Sequence, residues 1–144
     1  MSRTVLTSSL WQAMSDRAGR WRLRHDPVAH PIARLRDVDA ARCVYVPLIA
    51  TQRPPGAFVI DYIGSAARTH PRAVWQRVVG EHQMVHLDRR RDWDRVAVVP
   101  LQPETPLPIV RIIEAAVADL CGRPPRCSRL PELPKNWRAV IAAA

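Results

Sequence analysis

Two β-rich apolar runs separated by a short turn constrain the fold of this chain more than any other feature. Residues 43–49 and 57–63 are rich in valine, isoleucine and aromatic side chains, which favour strands. The residues between them include two prolines and a glycine, a composition typical of turns. We therefore expect a β-hairpin, and symmetric closure would place Tyr45 opposite Tyr62. Pro47 cannot donate to a sheet ladder, so it predicts an edge position or a bulge in the first strand.

Helical periodicity and a third apolar run complete the pattern. Amphipathic helices are predicted over residues 8–24, 71–87 and 106–121, with capping-box and N-cap residues at two of their starts. Residues 95–100 form a third β-rich run, and the proline-rich residues 123–136 predict a tail without regular structure. The order favours an α+β fold, with a three-stranded antiparallel sheet flanked by helices and preceded by an N-terminal helix.

The length and apolar content predict one compact unit. With 144 residues, 47% of them apolar, the chain can bury one core but not two. We divide it into an N-terminal helical extension at 1–40, a central domain at 41–130 and a C-terminal tail at 131–144. No apolar run approaches the ~20 residues of a membrane span, and no signal peptide is evident. We expect a cytoplasmic protein that makes no contact with a membrane.

The cysteines argue against two kinds of structural site, and the charge favours one kind of partner. Cys43, Cys121 and Cys127 are odd in number and irregularly spaced, which argues against a disulfide framework or a structural zinc site. The chain has 22 basic and 13 acidic residues, a net charge of +9, and a pI near 11.1. Lys135 is its only lysine. The arginine bias is equally explained by genomic base composition, but the excess of positive charge fits a polyanion such as DNA.

One short motif resembles a known family of nucleases. Tyr62-Ile63-Gly64 matches the second signature of the GIY-YIG nucleases, and Cys43-Val44-Tyr45 stands at the first signature and keeps its tyrosine. The family places an arginine eight residues after the glycine, here Arg72, and a metal-binding glutamate on a later helix, here Glu114. The resemblance covers residues 41–130.

The resemblance implies a metal-dependent DNA endonuclease that hydrolyses phosphodiester bonds. Glu114 would bind Mg²⁺ or Mn²⁺, whose preferred ligands are oxygens, and Arg72 would hold the phosphate. Tyr45 would help to deprotonate the attacking water, with Tyr62 supporting it. His82 is the candidate for the family's histidine, and His86 is the alternative. Because the register of the helix is open, Arg68 and Arg77 compete with Arg72. The candidate DNA-binding arginines are Arg68, Arg77, Arg89, Arg90 and Arg91.

Departures from the family keep other functions open. The family's asparagine after the glutamate has no match in residues 126–129, where Ser128 is the nearest substitute. The missing asparagine and the degenerate first signature favour an alternative function, a catalytically inactive nucleic-acid-binding module of the same fold. With about 40 residues before the nuclease-like region, we expect selectivity for DNA structure or single strands, or recognition shared by a homodimer. A nuclease toxin or a mobile-element protein would use the same chemistry.

Overall fold

The computed structural model describes residues 4–53, 55–68, 70, 72–81, 93–124 and 132–144, and for 80 and 81 it describes the backbone alone. Within these ranges the helices are α1 at Ser8–Ala18, α2 at Ala73–Trp75, α3 at Leu107–Leu120 and α4 at Trp137–Ala143. The strands are β1 at Val28–Pro31, β2 at Arg42–Gln52, β3 at Pro55–Ile60, β4 at Gly64–Ala67 and β5 at Arg95–Pro100. Short 3₁₀ segments cover Gly19–Trp21 and Ile32–Asp37, and a π-helical turn covers Gln76–Glu81.

The α+β class and the antiparallel sheet are confirmed, but the sheet has five strands where we expected three. Its order is β1-β5-β2-β3, and β4 continues beside β2 beyond the end of β3. β1 and β4 are only four residues long and show little alternation of apolar and polar side chains. Such short strands are stabilised by the neighbours they pair with, so their own sequence predicts them poorly.

The expected register of the hairpin is correct at the turn and wrong at Tyr45. Gln52 faces Pro55, as symmetric closure requires. An irregularity between Ala50 and Gln52 then shifts the pairing by one residue. The pairing shifts by one further residue between the end of β3 and the start of β4. Tyr45 therefore pairs with Gly64 and not with Tyr62. A bulge of one residue moves every later pair, which a symmetric closure cannot anticipate.

Pro47 lies where β2 changes partners. Along one edge β2 pairs with β4 up to Tyr45 and with β3 from Leu48 onward. The carbonyl of Pro47 accepts a hydrogen bond of 3.1 Å from the backbone N–H of Asp61. The side of the proline that lacks an N–H therefore falls in the gap between the two partner strands. This gap allows a proline inside a strand that is paired on both sides.

The sheet carries a buried cluster on each face. The side chains of α1, α3 and α4 pack on one face against Val44, Val46 and Leu48 of β2. On the other face Tyr45 packs with Val74 and Val78 after β4, and with Leu35 and Trp93. Alternate residues of β2 point to opposite faces, so this one strand supplies both clusters.

Three helix boundaries differ from expectation. α1 begins after Thr7, whose hydroxyl accepts from the Leu10 N–H, and it ends at Ala18 where we expected a helix to residue 24. Pro106, not Thr105, occupies the N-cap of α3, because the Thr105 hydroxyl donates to the Gln102 carbonyl. The second predicted helix, 71–87, contains α2 and the π-helical turn, and its last residues lie outside the described ranges.

The predicted C-terminal tail contains a helix. α4 buries Trp137 and Ile141 in the same cluster as α1 and α3. Its position is fixed further by Trp21, whose indole N–H donates to the Ile141 carbonyl at 3.1 Å. Seven residues form too short a helix to be stable alone, so packing stabilises α4 where local sequence signals are weak.

The close contact of Gly64 with Tyr45 makes a stability prediction. A methyl group at Gly64 would lie 2.9 Å from Tyr45 Cε2 and overlap the Cζ and hydroxyl positions as well. Gly64→Ala should therefore lower the free energy of unfolding by about 1–3 kcal/mol, measured by denaturant titration. In a Tyr45→Val background the same change should cost much less, because the ring is gone. An equal cost in both backgrounds would show that the contact is not the cause.

Candidate nuclease site

Three aromatic rings lie in a row beside β4. The centroids of Tyr45 and Tyr62 are 6.3 Å apart, and those of Tyr62 and Trp93 are 6.2 Å apart with nearly parallel planes. The two tyrosines of the motif are therefore neighbours, although they do not pair across the strands. Tyr45 is fully buried and Tyr62 is half-buried, so Tyr62 is the member of the pair that solvent reaches.

A buried carboxylate fixes the third ring. The indole N–H of Trp93 donates to Asp61 Oδ2 at 2.8 Å, and Asp61 has no exposed surface. A hydrogen bond to a buried carboxylate is among the stronger kinds. Asp61 precedes Tyr62 in the chain, so this bond ties the loop between β3 and β4 to the start of β5. Tyr62 is thereby held between two fixed rings.

Arg77 lies at the hydroxyl end of Tyr45. The two side chains hydrogen bond, and the positive charge of Arg77 favours the ionised phenol. Burial has the larger effect and raises the pKa of Tyr45 far above its usual value, with small further increases from Tyr62 and Cys43. Tyr45 therefore carries its proton at neutral pH, and it can donate a hydrogen bond but not accept a proton from water.

Glu114 is buried where α3 passes β4. Only 9% of it is exposed, and its carboxylate hydrogen bonds with the Ser65 side chain. Burial raises the pKa of Glu114, while the bond to Ser65 and the charges of Arg111 and Arg77 lower it in part. The apolar residues of α3, among them Ile109, Ile113 and Val117, form a stripe with Glu114 at its edge, and α3 packs closely enough on the sheet to cover this side chain as well.

The three arginines considered for the phosphate role occupy different settings. Arg77, on the π-helical turn, acts electrostatically on both Tyr45 and Glu114. Arg72 is exposed just before α2, and its backbone N–H donates to His70 Nδ1 at 3.1 Å. The backbone N–H of Arg68 donates to the Ala41 carbonyl at the end of β4. Arg77 is therefore the arginine that links the tyrosine to the glutamate.

Several predicted site residues fall outside the described ranges. His82 and the basic run Arg89, Arg90 and Arg91 lie in the segment 82–92, and Ser128 lies in 125–131. Their roles remain predictions from the sequence.

The described residues contain no cluster of metal-binding side chains. Within residues 4–53, 55–68, 70, 72–81, 93–124 and 132–144, no group of three or more His, Cys, Asp or Glu side chains could hold a metal ion. Mg²⁺ is commonly held by one or two carboxylates, with water and substrate phosphate as its other ligands. Glu114 offers one carboxyl group here, so a cation held at this site would take its remaining ligands from water and from the phosphate of a substrate.

Comparison with known proteins gives no match to any family model, curated protein or solved structure. In the part of the chain that the structure describes, no helix is long and apolar enough to cross a membrane.

Four residues of this site were not among those predicted from the sequence: Asp61, Ser65, Trp93 and Arg111. Asp61 and Ser65 flank the Tyr62-Ile63-Gly64 motif, and a charged residue inside an apolar run was an available signal. Trp93 follows a run of arginines, and no periodic pattern marks it. Arg111 precedes Glu114 by nearly one helical turn, a spacing that brings two side chains together.

The raised pKa of Glu114 predicts a pH dependence of stability. An acid whose pKa is raised by folding binds its proton more tightly in the folded state, so stability falls as pH rises. Wild type should lose stability relative to Glu114→Gln as pH rises above the ordinary value of 4.5, and the difference should level off above the raised pKa. Denaturant titrations of both proteins across pH would measure it. A difference that is flat, or that grows in favour of wild type, would contradict the burial of an ionisable carboxylate.

Proposed function

We propose that this protein is a metal-dependent DNA endonuclease of the GIY-YIG type that acts in the cytoplasm. The observation that carries the proposal is that Arg77 hydrogen bonds with Tyr45 and that its charge acts on both Tyr45 and Glu114. Tyr45 comes from β2 and Tyr62 from the loop between β3 and β4, the arginine comes from the following helical segment, and the glutamate comes from the later helix. This order along the chain is the one that the resemblance implies.

In the proposed reaction each residue has a defined task. Arg77 donates to the nonbridging oxygens of the scissile phosphate, where negative charge develops during attack. Arg77 replaces Arg72 in this role because it acts on both other site residues. Tyr45 positions Arg77 through their hydrogen bond, and Tyr62 presents its hydroxyl from between Tyr45 and Trp93.

Glu114 is the residue we propose to hold a divalent cation, Mg²⁺ or Mn²⁺. When bound, such an ion would supply the activation of water and the stabilisation of charge on the phosphate. Cation binding would offset the burial that raises the pKa of Glu114, since a nearby positive charge favours the carboxylate. Ser65 holds the carboxylate in place through its hydrogen bond.

The burial of Tyr45 favours one alternative, a DNA-binding module that has lost catalysis. A fully buried tyrosine with a raised pKa cannot act as a general base unless substrate or cation changes its surroundings. One assay separates the two functions, namely incubation with single-stranded, nicked, branched and linear duplex DNA in Mg²⁺ or in chelator. Cutting that requires the metal supports the enzyme, and binding without cutting supports the module.

Salt tests whether the net charge of +9 is a DNA footprint. Neutralising several phosphates releases counterions, so affinity should fall by about 10³-fold or more between 50 and 200 mM salt. Replacing Arg89, Arg90 and Arg91 together by Gln should weaken binding and reduce this slope without changing which sites are cut. Fluorescence anisotropy with labelled DNA would measure both effects. An affinity that does not change with salt would instead indicate that the arginine content reflects genomic base composition and not DNA binding.

A further inference from the structure

A cavity of about 280 Å³ lies between the end of α1 and α4, away from the candidate nuclease site. Trp137, Ile141 and Ala142 contribute apolar surface from α4. Arg17, Arg20 and Arg138 line the same cavity together with Asp16 and Gly19. Its volume is near the lower end of the ~300–1,000 Å³ range of ligand pockets, so it suits one small molecule.

Indole rings hold the three arginines in place. The guanidinium carbons of Arg17 and Arg138 lie 5.1 and 4.4 Å from the ring centroid of Trp137. That of Arg20 lies 4.7 Å from the ring of Trp21. Trp21 is itself fixed by its hydrogen bond to Ile141. Stacked guanidinium groups keep their N–H edges available, and their positions are set before a ligand arrives.

Among the residues that the structure describes, the acidic side chains at this cavity do not balance its arginines. Asp16 is the one described carboxylate that lines the cavity, and it accepts a hydrogen bond from Gln12. Three arginines and one aspartate leave a local charge of +2. Arg17 lies in the last turn of α1, where a cation interacts favourably with the negative end of the helix dipole. Arg138 lies in the first turn of α4, where a cation is unfavourable. Helix stability therefore does not account for the whole cluster.

We propose that this cavity binds a small phosphate ester with a flat or apolar body, such as a mononucleotide. The phosphate, with a charge of about −1.5 to −2 near neutrality, lies among Arg17, Arg20 and Arg138 and matches their excess charge. The body of the ligand rests against Trp137 and Ile141. None of these residues belongs to the candidate nuclease site, so the proposal does not depend on nuclease activity.

Calorimetry on the full chain with three probes tests this site. Adenosine 5′-monophosphate should bind at least tenfold more tightly than adenosine, which lacks the phosphate, and than inorganic phosphate, which lacks the body. A 5′-phosphorylated oligonucleotide, compared with its 5′-hydroxyl form, shows whether the ligand is also accepted at the end of a strand. Failure of the monophosphate to bind, or binding no tighter than that of either fragment, would overturn the proposal.

Variants assign the binding to the cavity. Arg20→Gln combined with Arg138→Gln should weaken binding of the monophosphate at least tenfold, and both side chains are exposed, so the fold should survive. Arg24→Gln, an exposed arginine outside the cavity, should bind as wild type does. Asp16→Asn should tighten binding, because it removes the one negative charge. Equal affinity in the double variant and wild type would contradict the site, whatever the outcome of the cleavage assay.

Discussion

Replacing Glu114 by Gln should reduce DNA cleavage by about 10²- to 10³-fold or more while DNA binding holds or tightens. Glutamine keeps the shape of the side chain and its capacity to hydrogen bond with Ser65, but it cannot offer a divalent cation a charged oxygen. One negative charge near the bound phosphates is also removed, which favours binding. Single-turnover cleavage and anisotropy on the same DNA would separate the two effects.

The burial of Glu114 provides an internal check on that result. The variant should be as stable as wild type at neutral pH or more so, because a carboxylate with a raised pKa destabilises the folded state there. With that stability measured, a loss of cleavage cannot be attributed to unfolding. Asp119→Asn is the matched control, an exposed carboxylate on the same helix that should cut normally. A Glu114→Gln protein that cuts as well as wild type would exclude Glu114 as the ligand.

Replacing Arg77 by Gln should also reduce cleavage by about 10²- to 10³-fold, because the group that stabilises charge on the phosphate is lost. Arg77→Lys should recover only part of the activity, since an ammonium lacks the planar fork that donates two parallel hydrogen bonds. Arg72→Gln provides the comparison, because Arg72 is exposed and the charge that acts on Tyr45 and Glu114 is that of Arg77.

Comparison of the Arg77 and Arg72 variants distinguishes an assignment based on spacing after Gly64 from one based on interactions in the folded protein. Near-normal cleavage by Arg72→Gln, together with a large loss in Arg77→Gln, supports the assignment of the phosphate role to Arg77. The reverse pattern would restore Arg72, the arginine eight residues after Gly64. Arg77 is half-buried and Arg72 is exposed, so the two substitutions can affect stability differently. Thermal unfolding of both variants would establish that each is folded.

The sequence predicts the parts of this fold that have a strong period or a strong turn. Residues 95–100 coincide with β5, and residues 106–121 contain α3, because each carries a long apolar pattern. The predicted position of the hairpin turn is also correct. The register is not, because the irregularity near Ala50 and the break before Gly64 depend on the neighbouring strands. Tertiary packing likewise creates β1 and α4, whose local patterns are weak.

The candidate site was predicted in part for the same reasons. Symmetric closure of the hairpin predicted that Tyr45 and Tyr62 meet, and their rings are neighbours, although Tyr45 pairs with Gly64 and not with Tyr62. The resemblance named Arg72 by its spacing after Gly64 and left Arg68 and Arg77 open, because spacing along the chain does not specify which arginine acts on Tyr45 and Glu114 in the folded protein. The burial of Glu114 depends on how closely α3 packs on the sheet, which no local pattern specifies.

Incubation of the wild-type protein with the DNA panel, in Mg²⁺ and in chelator, tests the central claim most directly. A nuclease with this site should release new DNA ends from at least one of the substrates when the metal is present. The same reaction should give none in chelator, and Glu114→Gln should give almost none under either condition. DNA that is bound in salt-dependent fashion but left intact with Mg²⁺, Mn²⁺ and every other divalent metal tried would contradict the enzymatic account and leave a binding module.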